Sequence, residues 1–155
     1  MYCIDTSSLI TAWRFVYPPD IFPAIWTQLD ELIKQHKLIS AKEVLLELKI
    51  GADVIYDWAN AHDHMFLESD ETVQKAVADI INKYPTFLPD YSPHGIFADP
   101  YVIAISSVKK LILVTNEKAS GVGAKKPKIP NICRDLNIEC IDFLSLIRRE
   151  GWIFG

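Results

Sequence analysis

The stretch "LILVTNE", Leu111 to Glu117, decides how this chain folds. Its continuous apolar start, with β-branched Ile112 and Val114, runs into a polar turn, the pattern of a short strand buried on both faces of a parallel sheet. "YCID", Tyr2 to Asp5, has the same form near the other end of the chain. A third run, "NIECIDF", follows "PNICRDL", a short helix with Pro130 near its start, where a missing N–H leaves nothing unpaired.

Helical patterns occupy the intervals. "PAIWTQLDELIKQ" places Ile25, Leu29, Leu32 and Ile33 on one stripe, and "SAKEVLLELKIGADVIYDWANA" does the same for Val44, Leu48 and Ile55. "SDETVQKAVADIINKY" and "DFLSLIRREGW" add two amphipathic helices, and "FADPYVIAIS" opens another, with Asp99 as its N-cap and Pro100 at the first helical position. Strands alternating with helices predict an α/β protein, a three-layer α/β/α sandwich around a mainly parallel central sheet. The 155 residues, half of them apolar, suffice for one domain with a sizeable core, and 1–155 is read as that single domain. Two irregular loops, "YPTFLPDYSPHG" and "KASGVGAKKPK", are of the kind that carries ligands more often than stability.

Composition excludes several classes. No apolar run reaches the ~20 residues a membrane span needs, and the start "MYCIDTSSLI" lacks a basic region and a long apolar stretch, so a cytoplasmic protein without membrane contact is expected. Cys3, Cys133 and Cys140 are odd in number, lack CxxC spacing and read as small buried residues. His62, Asp63 and His64 of "AHDH" read as a polar helix end rather than a metal site. A net charge of −4 argues against a broad basic surface on nucleic acid.

The acidic residues are placed more pointedly. In open parallel sheets the ligand crevice lies beyond the C-terminal ends of the strands. Asp5 closes one strand, Glu117 follows another, and Asp99 begins a helix, so all three are expected at that rim. Of the two glutamates in "SAKEVLLEL", Glu43 has the S-x-x-E spacing of a capping box with Ser40, whereas Glu47 has no structural occupation and falls at the border of the apolar stripe, with Gly51 leaving space one turn later. Four converging carboxylates repel one another unless a cation lies between them, and hard oxygen ligands select Mg²⁺ or Mn²⁺.

The motifs "IDTSSLI" with Asp5, "EVLLELKIGAD" with Glu47, "ADPYVIA" with Asp99 and "VTNEK" with Glu117 resemble, in order, the four acidic motifs of PIN-like domains. "YPPDIFPAIW" and the tail "KIPNICRDLNIECIDFLSLIRREGWIF" look like those of a bacterial PIN-like family of unassigned function related to VapC-type toxins. The resemblance covers nearly the whole chain. It implies a Rossmann-like sandwich and a metal-dependent endoribonuclease cutting RNA phosphodiester bonds, the toxin of a type II toxin-antitoxin pair. Asp5, Glu47, Asp99 and Glu117 would be the metal-binding, catalytic acids, supported by Thr6, Ser7, Thr115 and Asn116. Glu at position 117 departs from the commoner Asp. An antitoxin protein is the implied partner, and a homodimer is an assembly frequent in such families.

With those four acids set aside, the remaining acids balance the sixteen basic residues, so RNA contact requires only a local patch. Lys118, Lys125, Lys126 and Lys128 in the loop after Glu117 are the candidates, with Arg14 secondary. Two other readings compete. A haloacid-dehalogenase-like phosphatase needs a second Asp two residues after the first, where Ser7 stands. The other is a PIN-like scaffold that binds partners without catalysis.

Overall fold

The computed structural model describes residues 1–51, 53–92 and 94–155. Five strands, β1 (Tyr2–Ile4), β2 (Leu38–Ala41), β3 (Phe66–Leu67), β4 (Ile112–Val114) and β5 (Cys140–Ile141), form an all-parallel sheet in the order β3-β2-β1-β4-β5. Tyr2, Cys3 and Ile4 lie opposite Ile112, Leu113 and Val114, so the residues that follow, Asp5 and Thr115, come level at the centre of the sheet. The chain winds from β1 outward to β3 and then returns past β1 to β4. The reversal makes the β1–β4 edge the topological switch point, where open parallel sheets leave a crevice.

Among the described residues eight α-helices connect and flank the strands: α1 (Thr6–Thr11), α2 (Pro23–Lys34), α3 (Lys42–Ile50), α4 (Tyr56–Ala61), α5 (Glu71–Lys83), α6 (Asp99–Lys109), α7 (Ile129–Asp135) and α8 (Phe143–Arg149). Right-handed crossovers put α1 to α4 on one face and α5 to α7 on the other. α8 returns to the first face, where the Phe143 ring stacks on Tyr17 at 5.5 Å.

The apolar stripes read from the sequence are the ones buried: Ile25, Leu29, Leu32 and Ile33 on α2, and Val44, Leu48 and Ile55 around α3 and α4. α6 follows a different rule. Val102 to Ser106 are all buried in succession, because this helix lies between the sheet and α5. Ser106 is accommodated there by donating its hydroxyl to the Val102 carbonyl at 2.8 Å.

The structure corrects the sequence reading in four places. β2 and β3 were absent from the expected strands; "LISA" is fully buried but only four residues long, and β3 has two, too short for any period to register. The continuous helix expected over 40–61 is two, α3 and α4, parted after Ile50. Ser40 belongs to β2 and donates its hydroxyl to the Ile4 carbonyl at 2.5 Å, while Ala41 is the N-cap of α3, so no Ser40–Glu43 capping box forms. Finally Ala98, not Asp99, occupies the N-cap of α6, and no side-chain cap bond is made.

The polar helix end at "AHDH" is as expected: His62 Nε2 lies 3.1 Å from Asp30, and Trp58 Nε1 donates to the same carboxylate. Trp13, Trp26 and Trp58 form an internal aromatic cluster with centroid separations of 4.6 Å and 5.1 Å along the chain of rings. Cys3 and Cys133 are buried and Cys140 is half-buried, all as free thiols. Among the described residues no helix is long and apolar enough to cross a membrane.

Without its capping partner, Glu43 keeps one buried carboxylate oxygen with no hydrogen bond. Burial, aided by the charge of Glu68, raises its pKa above the ordinary value. A raised carboxyl contributes most to stability below its unfolded pKa and loses that contribution as pH rises. Glu43→Gln is therefore expected to leave stability unchanged or increase it at pH 7, with the gain gone below roughly pH 4. Urea denaturation at the two pH values checks this, and a loss of 0.5 kcal/mol or more at pH 7 would restore a capping role.

Candidate active site

Asp5 stands just past β1, 1% exposed, as the N-cap of α1. Its Oδ1 accepts from the Ser8 N–H at 2.8 Å, and its Oδ2 accepts from Thr115 Oγ1 at 2.5 Å and Ser7 Oγ at 2.7 Å. Two relays reach the same carboxylate from the turn after β4. Glu117 N–H donates to Thr115 Oγ1 at 3.1 Å, and Asn116 N–H to Ser7 Oγ at 3.3 Å. Thr115, Ser7 and Asn116 thus act together as supports for Asp5. Burial raises the Asp5 pKa, and these hydrogen bonds oppose that rise.

Glu47 projects from the middle of α3 and is fixed at both oxygens. Thr6 Oγ1 donates to Oε2 at 2.6 Å, and the Ala98 N–H donates to Oε1 at 2.8 Å. Ala98 begins α6, so Glu47 supplies from a distant helix the acceptor that a local N-cap side chain would otherwise offer. This bond aligns the start of α6, and with it Asp99, against α3. At Gly51, just past α3, a Cβ would sit a tight 3.2 Å from the Glu47 carbonyl.

Asp99 has no hydrogen-bond partner of its own among the described contacts, although the cap expectation had given it one. Its carboxyl is pushed up to about 7, first by burial, then by the charges of Glu117, Asp5 and Glu47, against the opposing pull of Lys128. Asp99 therefore lies in the field of the other three sequence-selected acids. Glu117 is anchored by accepting from the Ile129 N–H at 3.0 Å, at the start of α7.

The basic candidates separate. Lys128 lies in the field of Asp99 and Lys118 in that of Asp142. Lys126 is 3.8 Å from the exposed Asp90, and Lys125 is exposed with its carbonyl held by Thr86 Oγ1 at 2.8 Å. Arg14 is engaged elsewhere, in a 2.6 Å ion pair with the buried Asp53. One acid escaped the sequence reading: Asp142, after β5, is at the same strand edge, where it caps α8 by accepting from the Ser145 N–H at 2.8 Å. Its D-x-x-S spacing carried the signal of a cap.

The donor set suits a hard divalent cation: carboxylate and hydroxyl oxygens only, with an acid cluster whose repulsion already raises Asp99. Among the described residues, however, no three acidic, His or Cys side chains are spaced as a ready-made metal cage. The two observations are compatible. Asp5, Glu47 and Glu117 are held by internal hydrogen bonds that position them without exhausting their lone pairs, because an ionised carboxylate has about four acceptor sites.

The sequence matches, over residues 2–154, the family described as "Domain of unknown function (DUF4411)". The chain belongs to this family. No curated protein matches this DUF4411 chain. Two solved structures are similar to it in fold. VapBC2 from Rickettsia felis, bound to a DNA fragment from its promoter, is 12% identical with a TM-score of 0.54, covering 92% of this chain and 98% of that one. FitAcB from Neisseria gonorrhoeae is 17% identical with a TM-score of 0.51, covering 91% and 96%. At these identities the likeness to the two structures is one of fold.

A carboxyl raised to about 7 in the folded chain favours its neutral form, so its stabilising contribution is full below about pH 4 and falls as pH rises toward 7. Asp99→Asn is expected to stabilise the metal-free protein at pH 8 by on the order of 2 kcal/mol and to change nothing near pH 4. Urea midpoints at both pH values measure the difference. An equal effect at the two would remove the electrostatic account of this site.

Proposed function

We propose that this protein is a metal-dependent endoribonuclease with Asp5, Glu47, Asp99 and Glu117 as its acidic centre. The observation that carries the reading is the grouping of these four carboxylates at the β1–β4 switch point, with Asp99 lacking a hydrogen-bond partner among the described residues and raised first by burial and then by the other three acids. Such a group is poorly stable by itself and is relieved by a divalent cation. Similarity of fold to VapBC2 and FitAcB supports a toxin role with an antitoxin partner.

Asp5, Glu47, Asp99 and Glu117 would hold Mg²⁺ or Mn²⁺. A cation there supplies charge neutralisation for the phosphate and a more acidic water as nucleophile. The chain's own residues do the rest. Thr115 and Ser7 keep Asp5 oriented while it is ionised, Thr6 and the Ala98 N–H fix the direction of Glu47, and Asp99, with no hydrogen-bond partner among the described residues, is left to a ligand or a proton. Lys118, Lys125, Lys126 and Lys128 would attract the RNA backbone, and Lys128 offsets part of the local negative charge.

The scaffold reading retains one observation in its favour: every acid but Asp99 already has a hydrogen-bond partner inside the protein. Calorimetric titration with Mn²⁺ separates the two. The nuclease reading expects binding that strengthens as pH rises through about 7, as Asp99 loses its proton, and that falls at least tenfold in Asp5→Asn and Asp99→Asn. The same variants should lose Mn²⁺-dependent cleavage of RNA with the fold intact by circular dichroism. Binding and cleavage both absent from the natural chain would leave the scaffold.

Thr115→Val tests the support. It removes one of three donors to the Asp5 carboxylate and should lower cleavage roughly tenfold, with a stability loss of about 1–3 kcal/mol, because the remaining acceptor is buried. Retention of both would show that Ser7 and Ser8 suffice.

A further inference from the structure

A cavity of about 300 Å³ opens directly beside the acidic centre, with Glu47 and Asp99 in one wall and Phe87, Pro89, Tyr91 and Phe97 in the others. Phe87, Pro89 and Tyr91 come from the proline-rich loop "YPTFLPDYSPHG", and Phe97 lies just before α6. Phe87 packs against the core and gives a fixed wall. Tyr91 is 79% exposed, a large aromatic ring held at the mouth with no core to fill.

The chemistry of an occupant is constrained from two sides. It must present a flat apolar face to aromatic rings, and it must be joined to something that belongs at the acids, because the two surfaces are continuous through Glu47 and Asp99. The lysine loop provides a third constraint. Thr86 Oγ1 donates to the Lys125 carbonyl at 2.8 Å, and Lys126 lies 3.8 Å from Asp90, so the loop that walls the cavity is tied to the loop carrying Lys125, Lys126 and Lys128. An aromatic slot that ends at carboxylates, in a loop tied to a lysine-bearing one, is matched by an unpaired nucleobase with its phosphates. An apolar peptide would satisfy the walls but leave the lysines and acids without a role. The volume, at the lower limit of ligand pockets, holds one base and its sugar and excludes a paired duplex.

We propose that this cavity is a nucleobase subsite for single-stranded RNA, seating one flipped-out base against Tyr91 and Phe97 and thereby choosing which phosphodiester bond lies at the acidic centre. The choice of bond rests on the nuclease reading; the seating of the base does not. Trp13 and Tyr17, half-buried on the other side of the first acidic motif, pack instead against Trp26, Trp58 and Phe143.

The test uses a single-stranded oligoribonucleotide carrying one 2-aminopurine, titrated with the full chain in EDTA so that cleavage does not intervene. Quenching of the fluorescent base is expected on binding. Tyr91→Ala and Phe97→Leu should weaken binding by roughly five- to hundredfold and lose the quench, without changing the salt dependence of affinity. Lys126→Ala should flatten that salt dependence and keep the quench. Equal affinity and quenching in both aromatic variants, equal binding of the duplexed oligonucleotide, or no quenching by the natural chain would each overturn the subsite, the last leaving the cavity to a protein segment. A cleavage assay with Mn²⁺ on the same samples keeps the two readings apart. Quenching without cleavage sustains the subsite and defeats the nuclease, whereas cleavage with unaltered KM in Tyr91→Ala defeats the subsite alone.

Discussion

The hydrogen bond from Thr115 Oγ1 to Asp5 Oδ2, 2.5 Å long and buried, joins the ends of the two central strands at the place where the sheet reverses direction. A carboxylate with 1% exposure is unfavourable unless it is satisfied, and here three donors satisfy it. Two of those donors are themselves held by N–H groups of the turn after β4. The direction in which Glu117 leaves the sheet is thereby coupled to Asp5. Pairing of β1 with β4 supplies the register, and the relay converts that register into a position for two acids at once.

Glu47 plays the corresponding part on the other side. Its two oxygens bridge Thr6, at the start of α1, and Ala98, at the start of α6, so one side chain fixes the relative placement of three helices. An acid that is structurally necessary and functionally placed differs from an acid that is merely conveniently near. Its orientation is set before any ligand arrives, which is the condition for effective metal or phosphate chemistry. Asp99 is the exception. It is raised by burial and by the charges of Glu117, Asp5 and Glu47, and the Glu47–Ala98 bond fixes the residue beside it.

Much of this was readable from residue order. The alternation of short apolar runs with amphipathic stripes gave the α/β class, and every stripe residue named on α2 and α3 is buried, with Trp26 and Leu45 added to those faces by the fold. The four acids were selected because each adjoins a strand end or an unexplained helical position. Misassignments came from local rules with two valid outcomes. S-x-x-E fits a capping box, yet Ser40 bonds the Ile4 carbonyl across the sheet, because a strand only four residues long left no period to mark it. D-P fits a cap, yet Asp99 makes no side-chain cap bond, and the N–H at the start of α6 finds its acceptor in Glu47, more than fifty residues earlier in the chain.

The sequence by itself determined which residues are apolar on one face, which carboxylates follow strands, and hence the fold class and the end of the sheet that bears the site. Those are properties of spacing, and spacing survives without knowledge of neighbours. Tertiary structure decided everything that depends on a partner distant in the chain: which acid caps, which is bridged, and which stands unpaired with its carboxyl raised to about 7. It also decided that the proline-rich loop folds back to wall a cavity beside Glu47 and Asp99. The physical reason is that hydrogen bonds, desolvation and Coulomb repulsion act through space over a few ångströms, and no local pattern records who the neighbour will be.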